Sequence, residues 1–245
     1  MSKPAHPNIV EFQVYGDYAL FSDPIMRVGG EKCSYQIPTY EALKGVLSSV
    51  YWKPTFIWYI DAVRVINPIQ TAVKGIRPVK YNDGTNDLAF YTYLKDCLYQ
   101  VKAHFEWNDN RPELADDRIE NKHHNIARRM IEKGGRRDIF LGTRECQAYV
   151  EPCAFGEGPG AYDDIQELSF GLMYHGMTYP DESYSAETSG KMTVNLFFPT
   201  MRRGIIEFPR PEACPIHKPI RDMEMKIFDH KLGNFSGLGE FEGVV

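Results

Sequence analysis

The sequence predicts an α+β fold: a ferredoxin-like βαββαβ unit with a long insertion, then a small antiparallel β-sheet domain. Three observations carry this. Segments that alternate at period two are twice joined through one amphipathic helix, which makes strand-helix-strand, strand-helix-strand. A Gly/Pro-rich joint, Pro152 to Asp164, follows with Gly156, Gly158, Pro159 and Gly160. Beyond it the regular segments are strand-like. The expected division is 1–155 for the first domain and 156–245 for the second.

Ile9 to Tyr15 alternates apolar and polar residues and suits a half-buried first strand. Gly16 to Gln36 is a long loop with turn residues at Asp23-Pro24 and Gly29-Gly30. Pro38-Thr39 opens a helix whose stripe is Leu43, Val46, Leu47 and Val50, at core-facing spacing. It ends by Lys53, because the residue before Pro54 avoids helical geometry, so Tyr51 is expected on its last turn. Thr55 to Ile66, rich in Ile, Val, Phe, Trp and Tyr, is the second strand.

Pro68 to Asp96 is the insertion, with turn signals at Gly75, Pro78 and Asn82-Asp-Gly84, and Leu98 to Trp107 is the third strand. A polar, acidic loop, Asn108 to Glu120, leads to the second helix. Asn121 is its expected N-cap, Ile126, Met130 and Ile131 its apolar stripe, and Gly134-Gly135 its stop. Asp138 to Leu141 and Cys146 to Val150 are short extended segments, the latter a candidate fourth strand. Glu167 to Met177, Lys191 to Phe198 and Gly204 to Phe208 are expected to form one small sheet, and Leu232 to Val245 to be loosely ordered.

Right-handed crossovers make the first and second strands parallel, likewise the third and fourth, and put both helices antiparallel on one sheet face. The end of the first helix then meets the start of the second. Tyr51 and the pair Lys122-His123, about seventy positions apart, converge.

The totals narrow the function classes. At 245 residues, 43% hydrophobic and 25% charged, the chain is an ordinary globular protein with a net charge of -5. An acidic pI near 5.8 counts against indiscriminate nucleic-acid binding and requires a localised patch. Five cysteines without a C-x-x-C pair fit neither a disulfide framework nor a zinc site, and point to a reducing cytosol. No membrane-length apolar run and no signal-like N-terminus is present, so the expected location is cytoplasmic.

The patch is at Asn121 to Arg137, where six Lys/Arg face one Glu, a local +5. Arg128, Arg129, Lys133, Arg136 and Arg137 are the candidate RNA-binding cations. Gly134 and Gly135 are candidates to cradle phosphate through their amides. The plainer alternative is an amphipathic helix with a solvated basic face and a glycine stop.

Tyr51, Lys122 and His123 suit metal-free RNA cleavage. RNA supplies its own nucleophile, the 2′-hydroxyl. Histidine can move the proton near neutral pH, lysine can hold the charge of the phosphorane, and tyrosine can orient or donate. Against this, Tyr51 on pattern alone reads more simply as a plug at a helix end, and His123 as a packed residue on the face of Ile126, Ala127 and Met130. His124 leaves open which ring faces the substrate. None of the three is expected to supply much of the core. Adjacent His123 and His124 cannot easily share an ion, and Asp116, Asp117 and Glu120 are expected to be solvated charges, so neither metal nor cofactor is expected.

Longer motifs carry a family resemblance: Gly16-Asp-Tyr-Ala-Leu-Phe-Ser-Asp-Pro24, Gly29-Gly-Glu-Lys-Cys-Ser-Tyr35, Tyr40-Glu-Ala-Leu-Lys-Gly45 and Tyr51-Trp-Lys-Pro54, then Gly134-Gly-Arg-Arg-Asp-Ile-Phe-Leu-Gly142, Arg144-Glu-Cys-Gln147 and Phe208-Pro-Arg-Pro211. Over residues 12–228 the chain resembles the subtype I-C CRISPR-associated endoribonucleases, the "d" branch of the fifth Cas family in the repeat-associated superfamily. The resemblance implies a metal-independent cut of precursor CRISPR RNA at the base of the repeat hairpin. It also implies retention on the 5′ handle beside the backbone and large subunits of the interference complex, and leaves room for DNA binding. It assigns Tyr51, Lys122 and His123 as catalytic, the trio that topology brings together. The rival reading is a non-catalytic subunit of the same complex that only holds the 5′ handle.

Overall fold

The computed structural model describes residues 8–24, 26–119 and 121–225. The expected loose end, Leu232 to Val245, lies outside them. The chain is a mixed α+β protein with antiparallel sheets and two α-helices among the described residues.

The central strands are β1 (Val10–Ala19), β2 (Phe56–Val65), β4 (Ala89–Trp107) and β6 (Gln147–Pro152). They lie in the order β6-β1-β4-β2 with every neighbour antiparallel. α1 (Tyr40–Val50) packs on β2, and α2 (Lys122–Glu132) packs on β6 and β1. Leu43, Val46, Leu47 and Val50 are all buried, and Thr39 caps α1 by accepting from the Ala42 amide at 3.1 Å.

Several expectations are corrected. Residues 68–96 are not a separate insertion. β3 (Gln70–Ile76) pairs along the first half of β4, which begins at Ala89, not Leu98, so the two strands form one long hairpin. Period two continues there, but one side stays solvated, so the apolar signal is weaker. Asn121 does not cap α2 through its side chain. Its backbone is left-handed, φ 63°, a conformation that asparagine tolerates better than most residues. The buried face of α2 is His123, Ala127 and Ile131, one residue per turn, with Ile126 and Met130 on its flanks.

The strands after residue 155 do not group as one sheet. β10 (Thr200–Arg202) and β11 (Ile205–Glu207) make a hairpin over Arg203-Gly204, both at positive φ as a two-residue turn demands. β11 pairs with β2, so this hairpin, with β7 (Leu168–Ser169) outside it, extends the first sheet. β5 (Ile139–Phe140) closes the opposite edge. β8 (Met173–Thr178), β9 (Lys191–Phe197) and β12 (Ile216–Asp222) form the second sheet.

Two buried polar groups tie these parts together. Arg64 of β2 bonds the Asp163 carboxylate at 2.8 and 3.0 Å and the carbonyls of Glu157 and Gly158. The Glu157 carbonyl also accepts from Gln100. The Gly/Pro-rich joint is thereby pinned across the sheet face opposite the helices. His175 of β8 stacks on Tyr40 at the start of α1, ring centroids 4.1 Å apart, and its Nε2–H donates to the Pro209 carbonyl at 3.0 Å.

Burial depresses the His175 pKa to about 4, and the nearby Lys44 and His217 push the same way against the Pro209 carbonyl. A depressed imidazole contributes stability that is complete above its unfolded pKa, near 6.5, and lost as pH falls towards 4. The shift is worth about 3 kcal/mol at most. Replacing His175→Phe should therefore flatten the fall in the urea midpoint between pH 6.5 and 4. An unchanged slope would show that the acid sensitivity arises elsewhere.

Candidate active site

Tyr51 and His123 meet where topology predicted. Tyr51 follows α1 directly; it is extended rather than on the last turn, and its amide donates to the Leu47 carbonyl at 2.8 Å. Its Oη lies 2.8 Å from Nδ1 of His123 on the first turn of α2. Nε2 of His123 is 2.8 Å from the Asp117 carbonyl. A carbonyl only accepts, so Nε2 carries hydrogen, and in the neutral ring Nδ1 accepts from the Tyr51 hydroxyl.

The ring of His123 is 0% exposed, against the expectation that none of the trio supplies much of the core. Phe56, Trp107 and Phe105 surround it at centroid distances of 5.3, 5.7 and 6.4 Å. His124 points elsewhere, its Nε2–H donating to the Ile9 carbonyl at 2.9 Å. Successive helical residues diverge by about 100°. Since His123 sits over the sheet, His124 cannot.

Lys122 is the exposed member of the trio, and its ammonium is paired with Asp117 Oδ1 at 2.5 Å. Asp117 is not the solvated charge expected. Its other oxygen accepts from Thr55 Oγ1 at 2.8 Å and lies 3.3 Å from His123 Nε2. Burial works to raise its pKa, but the bonds from Lys122 and Thr55 and the nearby His123 outweigh it and hold the carboxyl below its ordinary value. Sequence reasoning missed both Asp117 and Thr55. The available signal was an acid five residues before a lysine across a helix start. Burial, reinforced by the Asp117 charge and partly offset by Arg136, pushes the Tyr51 phenol up to about 12.

The basic residues divide. Arg128 and Arg129 on α2 and Lys133 at its C-cap are exposed, with Arg128 in a groove beside Ile9, Pro152 and Cys153. Arg136 and Arg137 turn towards the end of α1, where the Arg137 amide donates to the Ser49 carbonyl at 3.1 Å. Gly134 and Gly135, both at positive φ, do not offer a free amide cradle. Their N–H groups donate to the Ile131 and Met130 carbonyls at 3.0 and 2.8 Å and close the helix. No group of three or more His, Cys, Asp or Glu side chains among the described residues is placed to hold a metal ion.

With this geometry in hand, the comparisons are specific. The family profile described as "CRISPR-associated protein (Cas_Cas5)", Cas_Cas5d, matches residues 9–209. A Thermus thermophilus protein named "CRISPR pre-crRNA endoribonuclease Cas5d" is 28% identical over 226 residues, covering 85% of this chain and 95% of its own length. A Mannheimia succiniciproducens protein of the same name is 41% identical over 63 residues, 26% of this chain and 27% of its own. A solved structure titled "Crystal Structure of CRISPR-associated Protein" superposes with a TM-score of 0.72 at 33% identity, covering 86% of this chain and 96% of that one. A functionally uncharacterized Streptococcus mutans protein, SMU1763c, does so with 0.70 at 37% over the same shares.

Fold and matches together define a CRISPR-associated protein. Within that class, the chain belongs to the Cas5d family.

The hydrogen bond at the centre of the site gives a stability test. Tyr51→Phe removes the donor to a buried ring nitrogen and keeps the packing. It should cost about 1–3 kcal/mol in urea unfolding, as an orphaned buried acceptor does. A variant as stable as the parent would mean that water or a shifted ring satisfies Nδ1.

Proposed function

We propose that this chain is a metal-independent endoribonuclease that cuts precursor CRISPR RNA at the base of the repeat hairpin. It then stays on the 5′ handle as a cytoplasmic subunit of the type I-C interference complex. Family membership and relatives named as pre-crRNA endoribonucleases support the activity. The observation that carries the site assignment is the Tyr51–His123 hydrogen bond beside the exposed Lys122. The strand order β6-β1-β4-β2 supports a ferredoxin-like unit in residues 1–155, and residues from 156 form the second domain, joined to the first through β2 and β11.

In the proposed reaction the 2′-oxygen attacks phosphorus and the bond to the 5′-oxygen breaks. With Nε2–H fixed on the Asp117 carbonyl, Nδ1 is the basic nitrogen. The 2′-hydroxyl passes its proton to the Tyr51 oxygen as the Tyr51 proton moves to Nδ1, so a phenol that stays protonated at neutral pH relays the proton. Lys122 holds the charge that builds on the phosphorane. The leaving 5′-oxygen takes a proton from Lys122 or water.

The product should carry a 2′,3′-cyclic phosphate, and cutting should survive EDTA. His123→Ala and Lys122→Ala should slow single-turnover cleavage, His123→Ala by about a hundred- to ten-thousand-fold, and His124→Ala should cut nearly normally. Because His123 is core, His123→Gln and a circular dichroism check accompany the alanine variant. Parental rates in folded Tyr51→Phe, Lys122→Ala and His123→Gln would leave only the handle-binding reading.

The Asp117 carboxylate holds the Lys122 ammonium, so an RNA phosphate must take its place. Asp117→Asn removes the competing charge and leaves the main-chain carbonyl on His123. It should tighten binding of repeat RNA several-fold at low salt. Weaker binding would show that the carboxylate organises the site instead of guarding it.

A general single-strand-binding module is less well supported. The centre of the sheet face is covered by residues 156–163. The exposed Tyr149 and its neighbour Tyr15 sit beside Glu151, which accepts from Tyr15 at 2.7 Å and would repel phosphate.

A further inference from the structure

Next to the Tyr51–His123 pair lies a second feature that the reaction does not use. Trp52, the residue after Tyr51, is 45% exposed, although tryptophan is among the side chains most favourable to bury. It lines an open groove of about 430 Å³ with Ser48, Lys53, Pro54, Arg136 and Arg137. The other two tryptophans are more enclosed, Trp58 at 1% exposure and Trp107 against the core.

The groove is held in place from both sides. Pro54 limits the backbone of Lys53, and the Trp58 indole N–H donates to the Tyr51 carbonyl at 2.8 Å, which anchors the connecting segment bearing Trp52. On the other wall the Gly134-Gly135 stop turns the chain, and the Arg137 amide bonds the Ser49 carbonyl. Arg136 is near enough to Tyr51 for its charge to oppose the upward shift of the phenol. None of the groove's three cations, Lys53, Arg136 and Arg137, has a carboxylate partner among the ion pairs between described residues.

An exposed indole among three cations is the recognition chemistry of an unpaired nucleotide. The base stacks on the ring, and phosphates on either side meet the guanidiniums and the ammonium. The volume is in the range of small-ligand sites. Neither Asp117 nor another acid lines the groove, in contrast to the Tyr15–Tyr149 face.

We infer that Trp52, with Lys53, Arg136 and Arg137, forms a subsite that takes one unpaired nucleotide immediately flanking the scissile phosphate, its base stacked on Trp52. This rests on the proposed function for the position of the cut. The role of the subsite is to pull the RNA single-stranded at the hairpin base and set the phosphate over Lys122. Specificity for the junction between stem and single strand follows, since a paired base cannot stack on the indole.

The test uses repeat hairpin RNA made uncleavable by one 2′-deoxy substitution at the cut, so that binding is read apart from catalysis. Parent protein should show quenched tryptophan fluorescence on binding, and Trp52→Phe should lose that quench. Trp52→Ala should bind about 5- to 150-fold more weakly, the range for loss of one base–aromatic stack. Trp52→Phe, which keeps a stacking face, should recover most of the affinity. An abasic site scanned over the two nucleotides on each side of the cut should reproduce the loss at one position in the parent and add nothing in Trp52→Ala. Parental binding by Trp52→Ala, an abasic loss that adds fully at every position, or parental RNA binding with failed assembly onto the other subunits would overturn the subsite. The last result would assign the patch to a protein partner. Because this RNA cannot be cut, a failed catalytic assignment for Tyr51, Lys122 and His123 leaves the stacking result readable.

Discussion

The pairing of β4 on both of its edges governs this structure. Val101 is opposite Phe12 of β1 on one side and Val63 of β2 on the other, and the register holds along most of both strands. A strand paired on two sides with antiparallel neighbours leaves each helix only the crossover face to occupy. α1 and α2 therefore lie side by side, and the residue that ends one is brought against the residue that begins the other. The contact between Tyr51 and His123 thus rests on the backbone pairing of β2 and β4 directly beneath it.

The site is built with its charges already satisfied. Asp117 meets Lys122, Thr55 and the edge of His123, and its main-chain carbonyl fixes the imidazole tautomer. A half-exposed ion pair of this kind contributes little net stability, since water screens it. Its consequence is electrostatic: the ammonium is held by Asp117 at the exposed side of the Tyr51–His123 pair. The phenol and imidazole behind it stay dry, which strengthens their hydrogen bond and raises the cost of leaving either one unpaired.

The same packing explains why Tyr51 and His123, the residues proposed for proton transfer, also belong to the core. His123 takes the position on α2 that an aliphatic side chain would occupy one turn before Ala127, and three aromatic rings close around it. Rigidity of Tyr51 and His123 is thus a property of the core, and Lys122 stands outside it. The groove at Trp52 is organised differently, with an exposed ring and long cations on a fixed backbone, an arrangement suited to a ligand that arrives and leaves.

Much of this was legible in the residues alone. Period two marked the central strands and period 3.6 the two helices, because alternation and helical spacing are local properties of a chain that buries one face. Handedness of the crossovers then put Tyr51 beside Lys122 and His123, and the glycine pair marked the end of α2. Local pattern could not say how deeply His123 would be buried, that Asp117 would fold back onto Lys122, or that the Gly134 and Gly135 amides would be consumed in closing the helix. Nor could it say that β11 would join β2 instead of β9. Those outcomes depend on which surfaces loops bring together after the strands have paired. Tertiary structure alone decided that Trp52 stays in solvent while Trp58, six residues on, is enclosed. Trp52 lies past the end of α1, where no element covers it, whereas Trp58 lies on the helix-facing side of β2.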